Sequence, residues 1–224
     1  MPDGGNIKQV SLINKADGWW INLSLENKSI PDFKTDNIQP TWENSIGLDA
    51  VLDKNIYLAT SEGNLFPSLK PLRTNQDQLT KVSQRKNKPK HGSKSRRKLA
   101  KREGKIHQKI AINRKDFQYK TAYKLTRTSK KVFFIEKLNL VGLTRRNKTK
   151  QYENGKYSPN GQSSKSGLNK YWLDAAFNQF FQILGQVAEK AFHVAQRNAR
   201  VIECEPSYTS QLLSYRIGNS VYRL

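Results

Sequence analysis

Cysteine is nearly absent: Cys204 is the only one in 224 residues. A single thiol excludes an internal disulfide and any cysteine-based zinc ribbon built within this chain. No apolar run approaches the roughly 20 residues that a membrane-spanning helix needs. The opening Met1-Pro2-Asp3-Gly4-Gly5 has neither the basic start nor the apolar stretch of a secretory signal. These absences predict a cytoplasmic protein with no membrane partner. Acidic residues are scarce too. Eighteen Asp and Glu stand against 40 Lys and Arg, a formal net charge of +22. Such a surplus repels itself in a compact state unless a polyanion neutralises it, so nucleic acid is the expected partner. Aromatic residues make up 10% of the chain, too many for a merely basic tail, and they predict a packed core.

What is present alternates between strand and helix patterns. Val10 and Leu12 alternate until Ile13 falls out of phase, whereas Trp19, Ile21, Leu23 and Leu25 alternate cleanly; Asp17-Gly18 between them predicts a hairpin turn. Asn27 to Glu43, with Pro31 and Pro40, reads as a connector. Ile46 to Leu65 reads as a second hairpin, with Ile56, Leu58 and Thr60 on its return strand and Ser61-Glu62-Gly63-Asn64 as its closing turn. From Gln78 to Lys131 there are twenty Lys and Arg against only Glu103 and Asp116. Pro89 to Ser93 interrupts this segment. Beyond it, Leu99, Ile106, Ile110, Phe117, Thr121 and Leu125 fall at helical spacing and predict a long helix with one apolar stripe and basic flanks. Val132 to Glu136 reads as a strand, Gly142 to Lys170 as a polar loop, and about Leu168 to Asn198 as one amphipathic helix. Val201 to Cys204 reads as a last short strand, and Ser207 to Leu224 has no clear periodicity. Helices inserted between strands make the fold α/β, or mixed α+β.

Two apolar strands each end in one carboxylate, Asp49 after Ile46-Gly47-Leu48 and Glu136 after Phe133-Phe134-Ile135. A carboxylate at the end of a buried strand is costly unless something cationic holds it. A divalent metal beside a basic segment suggests chemistry on phosphodiesters, where several carboxylates converge on the ions. Asp49 on a central strand could bridge two ions, and Glu136 on a neighbouring strand could bind one. Asp53 reads as a solvated loop carboxylate. Asp174 has a competing reading as a substitute third acid and as a favourable charge near a helix start.

In combination these segments resemble a known family. Asn44-Ser45-Ile46-Gly47-Leu48-Asp49, followed by Tyr57 to Gly63, is similar to the first RuvC motif of the TnpB proteins, the OrfB-type transposases of insertion sequences. Phe134 to Leu143 is similar to the second motif, and the basic helices with Ala111-Ile112-Asn113-Arg114-Lys115-Asp116-Phe117 resemble the family's helical insert. Ala16 to Trp20 resembles the end of a wedge β-barrel domain, and Glu205 to Gln211 the segment before a zinc ribbon. The resemblance implies an RNase H-like RuvC core over 45–206 with a basic helical insert at about 75–130. A partial wedge β-barrel and linker would precede it over 1–44, and a divergent tail would follow over 207–224. It implies an RNA-guided DNA endonuclease, with guide RNA and target DNA as partners and Mg2+ held by the catalytic pair Asp49 and Glu136. Arg96, Arg97, Lys98, Lys101, Arg102, Arg114 and Lys115 are the candidate nucleic-acid contacts.

The chain also departs from the family. No Asp or Glu follows Glu205 through Leu224, where the third catalytic acid is expected, and Leu212 to Ile217 stands where the first cysteine pair of the zinc ribbon is expected. Val51 replaces a usual glycine. These departures imply a truncated member, and the alternative to a nuclease is a catalytically inactive protein that only binds RNA or DNA.

Overall fold

A computed structural model of the protein describes residues 5–27, 38–195, 199–205, 215–217 and 220–222. The chain folds as a mixed α/β protein around one five-stranded sheet. The first two strands, β1 (Gly5–Lys15) and β2 (Gly18–Asn27), form a separate antiparallel hairpin. β1 runs on in regular register through the out-of-phase Ile13, which pairs with Trp20, and its one register shift lies between Ile7 and Gln9. Its two-residue turn is Ala16-Asp17, one residue earlier than the Asp-Gly pair suggested. The connector expected over Asn27 to Glu43 lies largely outside the described residues.

The main sheet follows from short alternating segments. β3 (Ser45–Ala50) and β4 (Ile56–Thr60) are antiparallel, and β5 (Leu65–Pro67) adds antiparallel to β4. Ser61 to Asn64 therefore turns β4 into β5, and does not close the β3–β4 pair. The chain then leaves the sheet through α1 (Pro71–Thr74), α2 (Gln76–Asn87) and α3 (Lys94–Thr126). It returns as β6 (Val132–Glu136), parallel to β3. After α4 (Leu140–Thr144), the two-residue strands β7 (Lys150–Gln151) and β8 (Tyr157–Ser158), α5 (Gln162–Ala175) and α6 (Phe177–Ala195), the strand β9 (Arg200–Cys204) lies parallel to β6. The spatial order is β5-β4-β3-β6-β9. Two short antiparallel strands, β10 (Tyr215–Ile217) and β11 (Ser220–Tyr222), come last.

α3 starts where the sequence allows it. Ser93 is extended, and its hydroxyl accepts the Arg96 N–H, a cap of the kind that satisfies an orphan helix donor. Its apolar stripe serves two cores. Ile106 and Ile110 pack with Val82 of α2 in a small cluster, whereas Ala122 and Leu125 join Ile46, Leu48, Phe133, Ile135 and the α6 residues Phe177, Phe180 and Leu184 in the main one. Tyr57 is the centre of that core, stacked on Phe177 at 4.9 Å and edge-on to Phe117 and Phe180.

Two expectations are corrected here. The supposed loop from Gly142 to Lys170 contains part of α4, the β7–β8 pair and the first half of α5. Asparagine side chains organise it: Asn147 donates to the Asn160 carbonyl at 2.7 Å, Asn160 to the Lys148 carbonyl at 3.0 Å, and Asn169 to the Thr144 carbonyl at 2.8 Å. The single helix expected from Leu168 is broken at Ala176, which is left-handed at φ 50° and ψ 49°. That conformation costs a non-glycine residue about 1–2 kcal/mol. The carbonyls exposed by the break find partners deep in the core. Buried Gln118 donates its amide to Ala176 O at 3.1 Å and Ala175 O at 3.4 Å, and the Tyr57 hydroxyl donates to Ala175 O at 3.1 Å. Ala176→Gly is therefore expected to stabilise the protein by up to about 1 kcal/mol. A lower denaturation midpoint would show that the left-handed turn is not populated.

Candidate functional site

The parallel pairing of β3 with β6 sets Ser45 opposite Val132 and Leu48 opposite Ile135. One further step of that register brings Asp49 beside Glu136, and on the next strand Cys204 stands opposite Glu136. Side chains alternate across a strand. Ile46, Leu48, Phe133 and Ile135 are all in the core, so Asp49 and Glu136 share the other face, at the C-terminal ends of adjacent central strands. Asp49 is exposed and Glu136 half-buried. The structure thus brings together the two acids that the sequence placed 87 positions apart.

Partial burial, and then the charge of Asp49, raise the Glu136 carboxyl above its ordinary range. Both causes act in the same direction. A raised carboxyl binds its proton more tightly in the folded than in the unfolded state, so this acid lowers stability as pH rises through its folded pKa. Glu136→Gln is accordingly expected to raise the melting temperature near neutral pH. That advantage should vanish below the unfolded carboxylate range, where both states are protonated. Equal melting temperatures at neutral pH would refute the coupling. Two like-charged oxygen ligands side by side also suit a hard divalent cation, whose binding would relieve their repulsion.

Other nearby acids do not join them. Glu203 pairs in register with Ile135, which puts it on the opposite face from Glu136. Glu205 holds Lys137 at 3.0 Å, and that hydrogen bond, with the charges of Glu205 and Glu203, keeps the Lys137 ammonium above its ordinary range. Asp53 accepts the Asn55 N–H at 2.7 Å and the Ile56 N–H at 3.3 Å, and these backbone bonds lower its carboxyl. Asp174 is 2% exposed. Its oxygens accept the Leu72 N–H at 3.1 Å, the Arg73 N–H at 3.3 Å and the Arg114 guanidinium at 3.0 Å. That set of partners makes Asp174 a remote cap for α1 and a counter-ion for Arg114. Among the described residues, no three His, Cys, Asp or Glu side chains are grouped to hold a metal.

The basic candidates divide into two kinds. Arg97, Lys98, Lys101 and Arg102 are exposed along the first half of α3. The exposed Lys94, Lys105 and Lys109 continue the same stripe; the i, i+4 repeat from Lys101 was the signal that could have found the last two. The one acid within this half, Glu103, is ion-paired with Lys86 of α2. Lys115 is exposed about five turns beyond Arg97, with its ammonium 5.8 Å from the Tyr119 ring. Arg96 and Arg114 are half-buried and engaged internally. Arg96 donates to the Lys86 carbonyl at 3.2 Å, and Arg114 is held by Asp174.

Fold and site together define a mixed α/β protein with paired carboxylates at strand ends and a strongly basic pair of inserted helices. The chain matches the OrfB family of IS605-type probable transposases over residues 31–147, just over half its length, and it belongs to that family. No curated protein matches it in sequence. Among the described residues, no helix is long and apolar enough to cross a membrane.

Proposed function

We propose that the protein binds nucleic acid and that Asp49 and Glu136 belong to a magnesium-dependent phosphodiester-cleaving site of the RuvC type. In this reading the substrate is DNA, directed by a guide RNA, and the protein works in the cytoplasm at the nucleoid. The observation that carries it is the placement of two carboxylates side by side on adjacent parallel strands. The sheet order supports the reading: the strand bearing Asp49 is central, flanked by an antiparallel pair on one side and two parallel strands on the other, as an RNase H-like core requires. Asp49 and Glu136 would hold the ion, which when bound supplies charge neutralisation at the scissile phosphate. The exposed cations of α3 would grip backbone phosphates independently of sequence. The β1–β2 hairpin fits a wedge β-barrel remnant, because Val10, Leu12, Trp19, Ile21, Leu23 and Leu25 are each at least half exposed and lie on one face.

A second reading is binding without cleavage. It is favoured by the lack, among the described residues, of a third carboxylate grouped with the pair. One experiment separates the two. Purified protein is incubated with its neighbouring transcript, a matched DNA target and magnesium, alongside Asp49→Ala. Cleavage that disappears in the variant supports the nuclease. Salt-sensitive binding without cleavage in either protein supports the second reading.

A further inference from the structure

The β7–β8 hairpin lies between α4 and α5 in the chain and is exposed on both faces, through Lys150, Gln151, Tyr152, Lys156 and Tyr157. We infer that one of these faces binds an unpaired nucleobase and the phosphates on either side of it. The inference rests on the nucleic-acid reading above and does not depend on Asp49 or Glu136. Two strands of two residues each are too short to hold together in water on their own. Side-chain amides brace them here. Asn147 donates to the Asn160 carbonyl, Asn160 donates to the Lys148 carbonyl, and Gln162 accepts the Asn147 N–H at 2.8 Å. At the tip, the Tyr152 N–H donates to Lys156 O and the Gly155 N–H to Tyr152 O, both at 2.9 Å. Gly155 is left-handed at φ 76°, which completes a three-residue hairpin turn and fixes the register. The face is therefore built in advance, and ordering it costs a ligand little.

Register decides which side chains share a face. Lys150 pairs with Ser158 and Gln151 with Tyr157, and the Tyr152–Lys156 hydrogen bond extends the ladder by one step. Tyr152 thus lies on one face with Lys150, about 7 Å before it, and with Lys156 directly across. Tyr157 lies on the other face, beside Gln151. Tyr152 is 56% exposed, and among the described residues its ring meets no other ring and no cation. From Arg145 to Lys165 six Lys and Arg stand against one acid, Glu153. None of the six is ion-paired among the described residues. A merely solvated surface intersperses charges of both signs. An acidic peptide would pair with the lysines and leave the ring unstacked, and a duplex keeps its bases stacked on one another. An unpaired base with a phosphate on each side engages ring and lysines together. The first half of α3, from Lys94 to Lys109, has no Phe, Tyr or Trp and offers phosphates only charge. The hairpin supplies what that helix lacks, a ring that tells a single strand from a bare polyanion.

The test measures how the full chain binds a short oligothymidylate and an abasic oligomer of equal length and charge. The unaltered protein is expected to prefer the thymidylate by about fivefold or more, the effect of one stacked base. Tyr152→Ala should abolish that preference and leave the affinity for the abasic oligomer unchanged. Tyr152→Phe keeps the ring and should retain the preference, as should Tyr157→Ala on the opposite face. Lys150→Gln combined with Lys156→Gln should weaken both oligomers alike and make the logarithmic salt slope shallower by about one to one and a half. An oligouridylate run in parallel separates the two sources of such a strand. Tighter binding assigns the hairpin to RNA, weaker binding to DNA, and equal binding to a site that reads only ring and phosphates. A preference that is absent from the unaltered protein, survives Tyr152→Ala or is lost in either control overturns the hairpin assignment. Salt-sensitive binding of the abasic oligomer would then still support the nucleic-acid reading. If neither oligomer binds in a salt-sensitive way, both readings fall.

Discussion

Asp174→Ala is expected to lower the folding stability by about 3–5 kcal/mol, the loss typical of removing one partner from a buried ion pair. The carboxylate joins three elements, α1, α3 and α5. It closes the N–H groups of Leu72 and Arg73 at the start of α1, and neutralises Arg114 of α3 from its own place on α5. Arg114 is only 20% exposed and its Nε already has no partner, so the truncation would leave a largely desolvated guanidinium with nothing to balance it. Arg73 lies over the Tyr171 ring at 3.4 Å, and that stacking also depends on α1 staying in place. Asp174→Asn, which keeps an acceptor and removes the charge, should cost less. Chemical denaturation of both variants checks the order. If Asp174→Ala unfolds at the same denaturant concentration as the parent, the carboxylate is not the structural node described here.

Nucleic-acid affinity should fall about a thousandfold on a duplex, or a few hundredfold on a single strand, between about 50 and 200 mM salt. Lys94, Arg97, Lys98, Lys101, Arg102, Lys105 and Lys109 are all exposed on the first half of α3. If about six of them neutralise phosphates, counterion release predicts a logarithmic slope near −5 on a duplex, or about −4 on a single strand. Replacing Lys98, Lys101 and Arg102 together by Gln should make that slope shallower by about two to three. Lys120→Gln is the control, since Lys120 is already paired with Asp116 at 2.7 Å. Titrations at several salt concentrations measure both numbers. A slope that the triple substitution leaves unchanged would place the phosphate contacts elsewhere.

The parts of the fold legible in the sequence are those whose physics is local. Alternation in Ile46-Gly47-Leu48-Asp49 and the helical spacing from Ile106 to Leu125 each report burial directly, and the corresponding strand and helix are present. The break at Ala176 left no such trace. It is held by Tyr57 and Gln118, far away in the chain, and Ala itself is the best helix former, so periodicity continued straight through it. The ordered segment around Asn147 and Asn160 carries no apolar periodicity, because side-chain amides, and not apolar residues, hold it. β5 is three residues long and too short to alternate.

The candidate site divides in the same way. Asp49 and Glu136 could be picked out as strand-terminal acids, but their adjacency depends on strand register, which no local pattern encodes. The exposed part of the basic stripe was visible in composition. Arg96 and Arg114 looked the same as their neighbours in sequence, and only their partners, the Lys86 carbonyl and Asp174, show that they brace the interior.

The 33 residues of α3 run without interruption from the basic arm into the core. The helix therefore acts as a rigid key whose teeth have a fixed phase relative to the lock. Each residue turns the helix by about 100°. Removing a single position between Lys109 and Gln118 would swing the whole row of cations by that angle while the core end stayed clamped. Within that span Ile110, Arg114 and Phe117 are held by their partners, and the exposed positions between them can change in identity but not in number.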